Sequence, residues 1–480
     1  MNNQLVYNLL ISAVQKWPDK AAIHDEFGTI SFKSLNTEVD LLKAELLELG
    51  VKPGMGVGVM ARNSRNFIIS VFAVLGTGAT VMPISHQLKY AEISDLLSKT
   101  KLHAVLDDYS GIQPLKNVIR EIGMGIGKMR FASTDVSAMN VFASHVDAPA
   151  FIRYTSGTTG ASKGVVISNK SVLERTEAAN KSLNLDENSN VVWVLPMAYH
   201  FVVSIVLYVR YGASISIVKS FMAQSVLEMT NKYNGTMLYA SPMQIRLLAA
   251  DRSDEMMPSL TKVISTSAGI SSDISKAFQK RYNQIVHQAF GIIEIGLPIV
   301  NTETSNDFLD AVGYALPDFD VQVFDSENKP LKYGETGVLG IKGPGMFDAY
   351  LDPPVLRDDL LKDGYFHTAD YATISPEGMI KIEGRKKSMI NIAGNKVFAE
   401  EVEHVLEEYE GISMARVSGV PHPLMGQIIQ AEVVLKTVDT IDTEAVLRYC
   451  RERLSTFKIP QKLIIVDDLP MTKTGKVKRH

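Results

Sequence analysis

The sequence predicts a large α/β domain followed by a small α+β domain at the C-terminus. From about residue 190, short β-rich runs alternate with amphipathic stretches, a rhythm that is typical of parallel α/β architecture. Beyond Val312 the chain becomes β-rich and is punctuated by Gly and Pro, which indicates a small antiparallel unit with hairpin turns. A compact α+β pattern follows the GRKKSM segment at 384–389. We therefore expect two α/β subdomains and a β-rich subdomain within residues 1–386, and a second domain at 387–480.

The first half is predicted to begin with an amphipathic helix and to continue with strands separated by helices. Its N-terminal apolar residues recur at helical spacing, without the basic flank and cleavage site of a secretory signal. Residues 66–88 contain no Asp, Glu, Lys or Arg, but Gly76, Gly78 and Pro83 interrupt them. This pattern favours a buried helix followed by a strand over a membrane span. The strand candidates of the chain lie at 56–62, 79–85, 103–108, 190–196, 213–219, 235–241 and 262–269.

Composition and charge exclude several classes of function. The 480 residues include 49 Lys and Arg against 53 Asp and Glu, and the net charge of −4 provides no field to hold a polyanion, so we expect no nucleic-acid partner. Cys450 is the only cysteine, which excludes an intrachain disulfide framework and a thiolate metal cluster. A single cysteine fits a reducing compartment, and the cytoplasm is the expected location.

The segment YTSGTTGASKG, residues 154–164, is the most informative motif. It holds three glycines, five Ser or Thr residues and one lysine, and it follows the β-compatible run APAFIRY. Glycine lets backbone NH groups approach phosphate oxygens, and hydroxyls and an ammonium donate further hydrogen bonds. The segment is not a Walker A loop, because Lys163 lies between Ser162 and Gly164. The alternative, a flexible polar turn, accounts for neither the preceding strand nor the density of donors.

This segment resembles the phosphate loop of the adenylate-forming superfamily, which groups acyl- and aryl-CoA synthetases, stand-alone adenylation domains and firefly-type luciferases. Further similar segments occur in the family's order from about residue 30 to the C-terminus. The resemblance implies ATP and Mg²⁺ as cofactors and a mobile C-terminal domain. It also implies an ATP/AMP site formed by Thr155, Ser156, Gly157, Thr158, Thr159, Gly160, Lys163, Ala268, Gly269, Phe290, Gly291, Asp370 and Arg385.

Individual roles follow from the same resemblance. In QAFGIIEIG (288–296), Phe290 would lie on adenine and Glu294 would bind the magnesium of ATP. In YFHTAD (365–370), Asp370 would hold the ribose hydroxyls, with Arg385 near the ribose. In the terminal PMTKTGKVKR, Lys476 would contact the substrate carboxylate and phosphate. These roles suit the chemistry, because attack of a carboxylate on the α-phosphorus brings two anions together and requires positive charge and donors around them. Taken singly, each residue also has an ordinary alternative: a helix cap, a turn or a solvated charge.

The resemblance also implies a second half-reaction with a thiol. Lys387 would be the hinge of the C-terminal domain, and Gly394 would let pantetheine pass. Coenzyme A is the favoured acceptor, and a carrier-protein phosphopantetheine presents the same thiol. A homodimer is possible in such a family, although no feature of the sequence indicates an interface.

The segment 195–215 resembles the region that lines the acyl pocket. Tyr199 and His200 stand where amino-acid-activating members carry an aspartate, so an α-amino acid is disfavoured. The following apolar residues, beginning with Phe201, suit an apolar or aromatic carboxylic acid. We assign His200 as a catalytic candidate with Lys476 and Glu294, and Tyr199, His200 and Phe201 to the pocket. The alternative is an ordinary buried helix with one hydrogen-bonded histidine.

Three departures from the family pattern bear on function. Ile293 replaces the usual threonine, which removes a hydrogen-bond donor. Ile270 replaces a proline, and the chain ends four residues after Lys476. The leading interpretation is an acid–thiol ligase of the acyl-CoA synthetase kind. The alternatives are an enzyme that loads a carrier protein and a non-catalytic nucleotide-binding homologue.

Overall fold

The computed structural model describes residues 5–111, 117–137, 139–154, 163–301, 309–385, 388–392, 395–422, 426–436, 441–471 and 477. None of the helices among these residues is long and apolar enough to cross a membrane. The strands are, in chain order, β1 Ala21–Asp25, β2 Gly28–Ser31, β3 Gly56–Ala61, β4 Thr80–Ser85, β5 Ala104–Asp107, β6 Val118–Gly123, β7 Lys128–Ser133, β8 Pro149–Tyr154, β9 Gly164–Ser168, β10 Asn190–Trp193, β11 Ser214–Ile217, β12 Met237–Ala240, β13 Lys262–Ser265, β14 Val286–Ile292, β15 Gly296–Val300, β16 Tyr314–Ala315, β17 Asp320–Phe324, β18 Thr336–Lys342, β19 Ala349–Tyr350, β20 Val355–Leu356, β21 Phe366–Ile374, β22 Ile380–Arg385, β23 Met389–Ile392, β24 Asn395–Phe398, β25 Ile412–His422, β26 Gly426–Leu435 and β27 Lys462–Ile465.

Helices connect and cover these strands. The α-helices are α1 Tyr7–Lys16, α2 Phe32–Glu48, α3 Arg65–Gly76, α4 Tyr90–Thr100, α5 Asn169–Leu183, α6 Met197–His200, α7 Ile205–Arg210, α8 Ala223–Lys232, α9 Pro242–Ala249, α10 Ser272–Tyr282, α11 Ala399–Glu408 and α12 Thr443–Arg453, with short 3₁₀ helices at Arg357–Asp359 and Thr456–Lys458.

Four sheets organise the described residues. Sheet I has nine strands in the order β16-β15-β14-β13-β12-β10-β11-β1-β2, and its centre from β14 to β1 is parallel. Sheet II also has nine, in the order β20-β19-β9-β8-β4-β3-β5-β7-β6. Sheet III is the antiparallel set β17-β18-β21-β22, and sheet IV combines β24-β23-β26-β25 with β27 on β26. The architecture confirms the predicted fold class.

The strand candidates of the sequence are all present, and 66–88 forms helix α3 and strand β4 as predicted. Residues 66–75 of α3 carry no charge and are all buried, and a helix that is buried on all sides is expected to be apolar around its whole circumference. The main core runs between sheets I and II. Its centre includes Phe201, which packs against the rings of Phe67, Phe72 and Phe151.

The two α/β halves are not consecutive segments, which the sequence did not predict. Strand β1 leaves the N-terminal half and pairs in parallel with β11, placing Ile23 opposite Ile215. Strand β19 lies in the chain between β18 and β21 of sheet III, yet it pairs with β9 of sheet II. These exchanges extend both sheets and tie each half to the other. They also carry Tyr350 to the edge of sheet II that holds Lys163.

Sheet IV has its own hydrophobic core, formed with α11 and α12. Contacts with the rest of the molecule include the rings of Tyr371 and Phe398, whose centroids are 5.3 Å apart, and a hydrogen bond of 2.6 Å from Arg246 Nη1 to the carbonyl oxygen of Ser413. The predicted boundary between residues 386 and 387 falls outside the described residues and stays a prediction.

Candidate active site

The predicted site residues of sheet I follow the carboxyl ends of its parallel strands. Tyr199 and His200 come after β10, the segment 267–269 after β13, and Glu294 after β14. Strands β13 and β14 are direct neighbours, with Ser265 opposite Gln288. Carboxyl ends of parallel strands meet at one edge of a sheet, which is where α/β proteins bind ligands. The topology therefore brings these segments to one edge.

The loop after β13 presents small, exposed residues at this edge. Ala268 and Gly269 are both exposed, and the preceding Ser267 has a positive φ of 77°. The loop is fastened to β14, because the backbone NH of Ile270 donates to Gln288 Oε1 at 3.3 Å. Ile270 thus keeps the NH that the proline of the family pattern would lack. A Cβ built on Gly269 would meet no atom within 4 Å, so the loop is open at this position.

A tight turn joins β14 to β15 and carries Glu294 at its tip. Gly291 has no room for a side chain, since a Cβ there would lie 2.4 Å from the carbonyl oxygen of Gly296. Gly296 has a φ of 102°, which favours glycine. Phe290, at the start of the turn, is half-buried and packs against the main core. The two glycines thus allow the close turn that carries Glu294.

Glu294 is held by two contacts from the segment around β19. The hydroxyl of Tyr350 donates to Glu294 Oε1 at 3.2 Å, and the backbone NH of Phe347 donates to the Glu294 carbonyl oxygen at 2.7 Å. Burial raises the pKa of Glu294, and the Tyr350 hydrogen bond and the positive charges of Lys163 and Arg175 partly oppose that rise. A carboxylate in this setting gains from a cation brought by a ligand.

Tyr350 also contacts Lys163, the one described residue with a proposed role in the glycine-rich segment. Strand β19 pairs antiparallel with β9, and Tyr350 lies opposite Val165. Lys163 directly precedes β9, and its Nζ lies 4.3 Å from the centroid of the Tyr350 ring, a cation–π contact. Burial and the charge of Glu294 raise the pKa of Tyr350. Tyr350 therefore joins the lysine of one sheet to the carboxylate of the other.

Arg175 on helix α5 supports the turn from the other side. Ser168 caps this helix by accepting a hydrogen bond from the Ser171 NH. The buried Arg175 donates from Nη1 to the carbonyl oxygen of Ile293 at 3.1 Å and from Nε to that of Gly345 at 2.8 Å. Burial lowers the pKa of Arg175 to about 10, so it stays charged at neutral pH. The guanidinium clamps the two segments that carry Glu294 and Tyr350.

Asp370 and Arg385 form the second group of the site. They lie directly opposite each other on β21 and β22, and Arg385 Nε donates to Asp370 Oδ1 at 3.1 Å. Asp370 is buried, whereas the side chain of Arg385 is 43% exposed. The backbone NH of Asp370 also donates to Thr368 Oγ1 at 3.1 Å. The structure thus joins two residues that the sequence predicted around the ribose.

The residues predicted for the acyl pocket lie in and after the short helix α6. His200 Nε2 is 3.4 Å from Ser267 Oγ, which links the pocket to the loop after β13. Tyr199 is half-buried, and its ring centroid lies 4.9 Å from the guanidinium carbon of Arg153. Phe201 is fully buried in the main core, so its side chain supports the pocket from beneath. The assignment of these residues to the pocket stays a prediction.

Several predicted site residues lie outside the part of the chain that the structure describes: Thr155, Ser156, Gly157, Thr158, Thr159, Gly160, Lys387, Gly394 and Lys476. Their roles stay predictions. Within the described residues, no group of three or more His, Cys, Asp or Glu side chains could hold a metal ion. The assignment of Glu294 to a metal ion stays a prediction.

Sequence reasoning missed Tyr350, Arg175 and Arg153. Tyr350 and Arg175 are 56 and 118 residues from the parts of the turn that they contact, and neither stands in one of the segments that resemble the family. Arg153 belongs to the run APAFIRY, which was interpreted only as a strand. A charged residue within so apolar a strand was the available signal, because arginine is rarely buried without a reason.

Comparisons with known proteins agree with this geometry. Residues 10–351 match the family model of the AMP-binding enzymes, and residues 401–476 match that of the AMP-binding enzyme C-terminal domain. The chain is 24% identical to a sulfoacetate–CoA ligase of Cupriavidus necator, over 98% of this chain and 96% of that protein. It is 25% identical to a long-chain-fatty-acid–CoA ligase of Bacillus subtilis, over 100% of this chain and 94% of that protein.

A solved structure of similar fold is o-succinylbenzoate CoA synthetase from Bacillus subtilis in complex with its acyl-adenylate intermediate. The TM-score is 0.86 at 21% identity, over 99% of this chain and 97% of that chain. Together these matches confirm the predicted superfamily and its enzyme class, an AMP-forming acid–thiol ligase. The chain belongs to the AMP-binding enzyme family, with a large AMP-binding region followed by the C-terminal domain of that family.

Proposed function

We propose that this enzyme activates an apolar or aromatic carboxylic acid, not an α-amino acid, as an acyl adenylate and then transfers the acyl group to coenzyme A. The observation that carries the proposal is the group formed by Glu294, Tyr350 and Lys163, which combines a half-buried carboxylate with a cation at the end of the glycine-rich segment. The Asp370–Arg385 pair supports it, because a carboxylate can accept hydrogen bonds from two ribose hydroxyls.

The first half-reaction is a displacement at phosphorus. An oxygen of the substrate carboxylate attacks the α-phosphorus of ATP, a new P–O bond forms, and the bond to pyrophosphate breaks. Negative charge accumulates on the phosphate oxygens, where Lys163 and the predicted loop amides would stabilise it. Phe290 would stack on adenine, and the exposed loop at 268–269 would receive the other face of the ring.

Glu294 suits the magnesium that the family resemblance implies. Mg²⁺ prefers oxygen ligands and is commonly held by one or two protein carboxylates together with substrate phosphates. Glu294 is a half-buried carboxylate, and the partial loss of solvent around its charge raises its pKa. Bound there, the metal would neutralise charge on the phosphates, and Arg175 and Tyr350 would keep the carboxylate in place.

The second half-reaction requires different surroundings for the same intermediate. The thiol sulfur attacks the acyl carbon, a thioester forms and AMP leaves. We assign the change of surroundings to a swing of the C-terminal domain at Lys387, with Gly394 beside the path of the pantetheine. Lys476 would act in the first half-reaction only.

Separate assays of the two half-reactions test this division. Lys476→Ala should abolish adenylate formation and leave thioester formation from a preformed acyl adenylate largely intact. Lys387→Pro should stiffen the hinge and slow thioester formation more than adenylation. Equal loss of both half-reactions in the Lys476 variant, measured by rapid mixing, would contradict the two-conformation account.

Two other functions remain as outcomes of the first experiment. The names of the relatives include ligases for acids as different as sulfoacetate and long-chain fatty acids, so they do not identify the acid. Pyrophosphate release is measured with a panel of fatty, aryl and small carboxylic acids, each with and without coenzyme A. A CoA thioester detected by mass spectrometry supports the proposal. Release without a thioester favours a carrier-protein acceptor, and no release with any acid favours a non-catalytic nucleotide-binding protein, an option that Ile293 motivates.

A further inference from the structure

Arg153 is a buried arginine at the end of strand β8, immediately before residues 154–164. Only 9% of its surface is exposed. It shares a strand face with Phe151, whose ring packs on Phe201 at a centroid distance of 6.2 Å. Its guanidinium therefore lies on the side of the strand that faces helix α6. There it contacts the ring of Tyr199 and donates from Nη1 to the carbonyl oxygen of Ala198.

The positive charge of Arg153 is not balanced by an acidic side chain of the described part of the chain. Two other buried arginines have more hydrogen-bond partners. Arg65 forms an ion pair with Asp25, and Arg175 donates to two carbonyl oxygens. Arg153 has no carboxylate within ion-pair distance there, and its Nε has no hydrogen-bond partner among the described residues. Burial lowers the pKa of Arg153 only to about 10, so the charge persists at neutral pH.

A buried charge with an unused donor is costly unless a partner is present when the protein works. The contacts of Arg153 are with helix α6, which holds Tyr199 and His200, the residues assigned to the acid pocket. Neither this hydrogen bond nor this ring contact of Arg153 involves Lys163, Tyr350 or Glu294, the group assigned to the phosphate end. The missing partner is therefore best placed on the acyl part of the substrate.

We propose that Arg153 binds a second anionic group of the acid, a carboxylate or a sulfonate, at the opposite end from the carboxylate that is adenylated. This inference rests on the proposed function and specifies the substrate class: acids with an apolar or aromatic body and a remote anion. The guanidinium provides a planar pair of donors that matches a carboxylate, and Nε is one of them. Tyr199, stacked on the guanidinium, forms the apolar wall next to that anion.

The test compares acids of equal length that differ only at the remote end. Pyrophosphate release by the unmodified enzyme is measured with a series of α,ω-dicarboxylic acids, their ω-sulfonate analogues, their mono-methyl esters and the parent monocarboxylic acids. We expect kcat/KM for the dianionic acid of the best length to exceed that for its ester and its parent acid by about tenfold to a hundredfold. The dicarboxylate and sulfonate arms decide which anion is preferred.

The variant Arg153→Met then removes the donors and keeps an apolar chain of similar length. It should lose the preference for dianionic acids while activity on the monocarboxylic acids is kept or increased, and Arg153→Lys should retain part of the preference. Arg281→Met is the matched control, because Arg281 donates to the backbone carbonyl oxygens of Asp251 and Glu255 and has no part in the predicted site. Thermal unfolding of each variant checks that it folds.

The outcomes separate this inference from the proposed function. Activity on monocarboxylic acids without any preference for a second anion overturns the inference alone. Equal loss with all acids in Arg153→Met also overturns it and limits Arg153 to holding helix α6 in position. Absence of release with every acid overturns the proposed function and the inference with it. If the variants fail to fold, the comparison of acids on the unmodified enzyme still shows whether a second anion is preferred.

Discussion

Asp370 and Glu294 are the two carboxylates of the candidate active site, and they differ in how their negative charge is balanced. Asp370 lies directly opposite Arg385 and accepts a hydrogen bond from its Nε at 3.1 Å. Glu294 accepts a hydrogen bond from the neutral phenol of Tyr350. The arginine next to Glu294, Arg175, directs its donors to backbone carbonyl oxygens instead of to the carboxylate.

This difference matches the ligands proposed for the two residues. Ribose hydroxyls are neutral donors, so a carboxylate that binds them is best balanced by a cation of the protein itself. A magnesium ion carries its own charge, so a carboxylate that binds it is better left without a direct cationic partner. Before the ligand arrives, the charge of Glu294 is partly desolvated at a cost in free energy, and the same desolvation raises its pKa.

The largest effect is expected for Glu294→Gln. The amide keeps the shape of the side chain and removes its charge, so adenylation should fall about 10³-fold, as when other electrostatic stabilisers are removed from active sites. The same change should stabilise the free protein at neutral pH by about 1 kcal/mol, a size common for substitutions that relieve a functional strain. Pyrophosphate release and denaturant unfolding measure the two effects.

The sign of the stability effect depends on pH. A carboxyl group whose pKa is raised by folding costs no stability at low pH, where it is protonated in both states. The cost appears as pH rises through its folded pKa. The gain in Glu294→Gln should therefore be present at neutral pH and vanish in acid. Glu432→Gln is the control, since Glu432 pairs with Arg416 and its loss should destabilise the protein. If Glu294→Gln lowers the free energy of unfolding at neutral pH, the charge of Glu294 is balanced within the protein as well as that of Asp370 is.

Asp370→Asn should have the next largest effect. An amide accepts on one atom only and carries no charge, so it serves Arg385 and the ribose hydroxyls less well, and kcat/KM for ATP should fall about tenfold to a hundredfold. The loss of unfolding free energy should be about 1 kcal/mol or less, because the Arg385 side chain is 43% exposed and solvent screens its charge. Asp107→Asn is matched to it: the buried Asp107 pairs with Arg130, Nη2 to Oδ1 at 2.7 Å, away from the site. Asp107→Asn should lower the free energy of unfolding more than Asp370→Asn does and leave the kinetics with ATP unchanged. If Asp370→Asn instead leaves kcat/KM for ATP unchanged, Asp370 does not bind the ribose.

Much of the fold was predictable because its signals are local. The buried strands of sheets I and II are short apolar runs rich in Val and Ile, and breaks between them are marked by Gly and Pro. The pairing of β1 with β11 was not predictable in this way. It joins segments that are far apart in the chain, and the residues of β1 carry no mark of which sheet they will enter.

The residues of the candidate site also fall into a group that the sequence indicated and a group that it did not. Glu294, Asp370 and Arg385 stand in short segments with a recognisable order along the chain, so the sequence indicated them. Tyr350 and Arg175 act through contacts with distant residues, and their importance arises only when β19 and α5 pack beside the turn at 292–296. A residue that works by holding another residue leaves a weaker trace in one sequence than a residue that contacts the ligand.

The smallest effect, and the finest test of the comparison, is expected for Tyr350→Phe. The Tyr350 hydrogen bond lowers the pKa of Glu294, so its removal should raise that pKa further. If the ionised carboxylate is the active form, activity falls as pH falls through this pKa. The acid limb of kcat/KM for ATP should therefore move to higher pH, with only about a threefold loss on the alkaline plateau. Tyr109→Phe is the matched control, because Tyr109 donates to Glu121 on the surface of sheet II. An acid limb that stays in place while the plateau falls would mean that Tyr350 acts on Lys163 alone, through its ring, and that the charge of Glu294 is balanced by other groups.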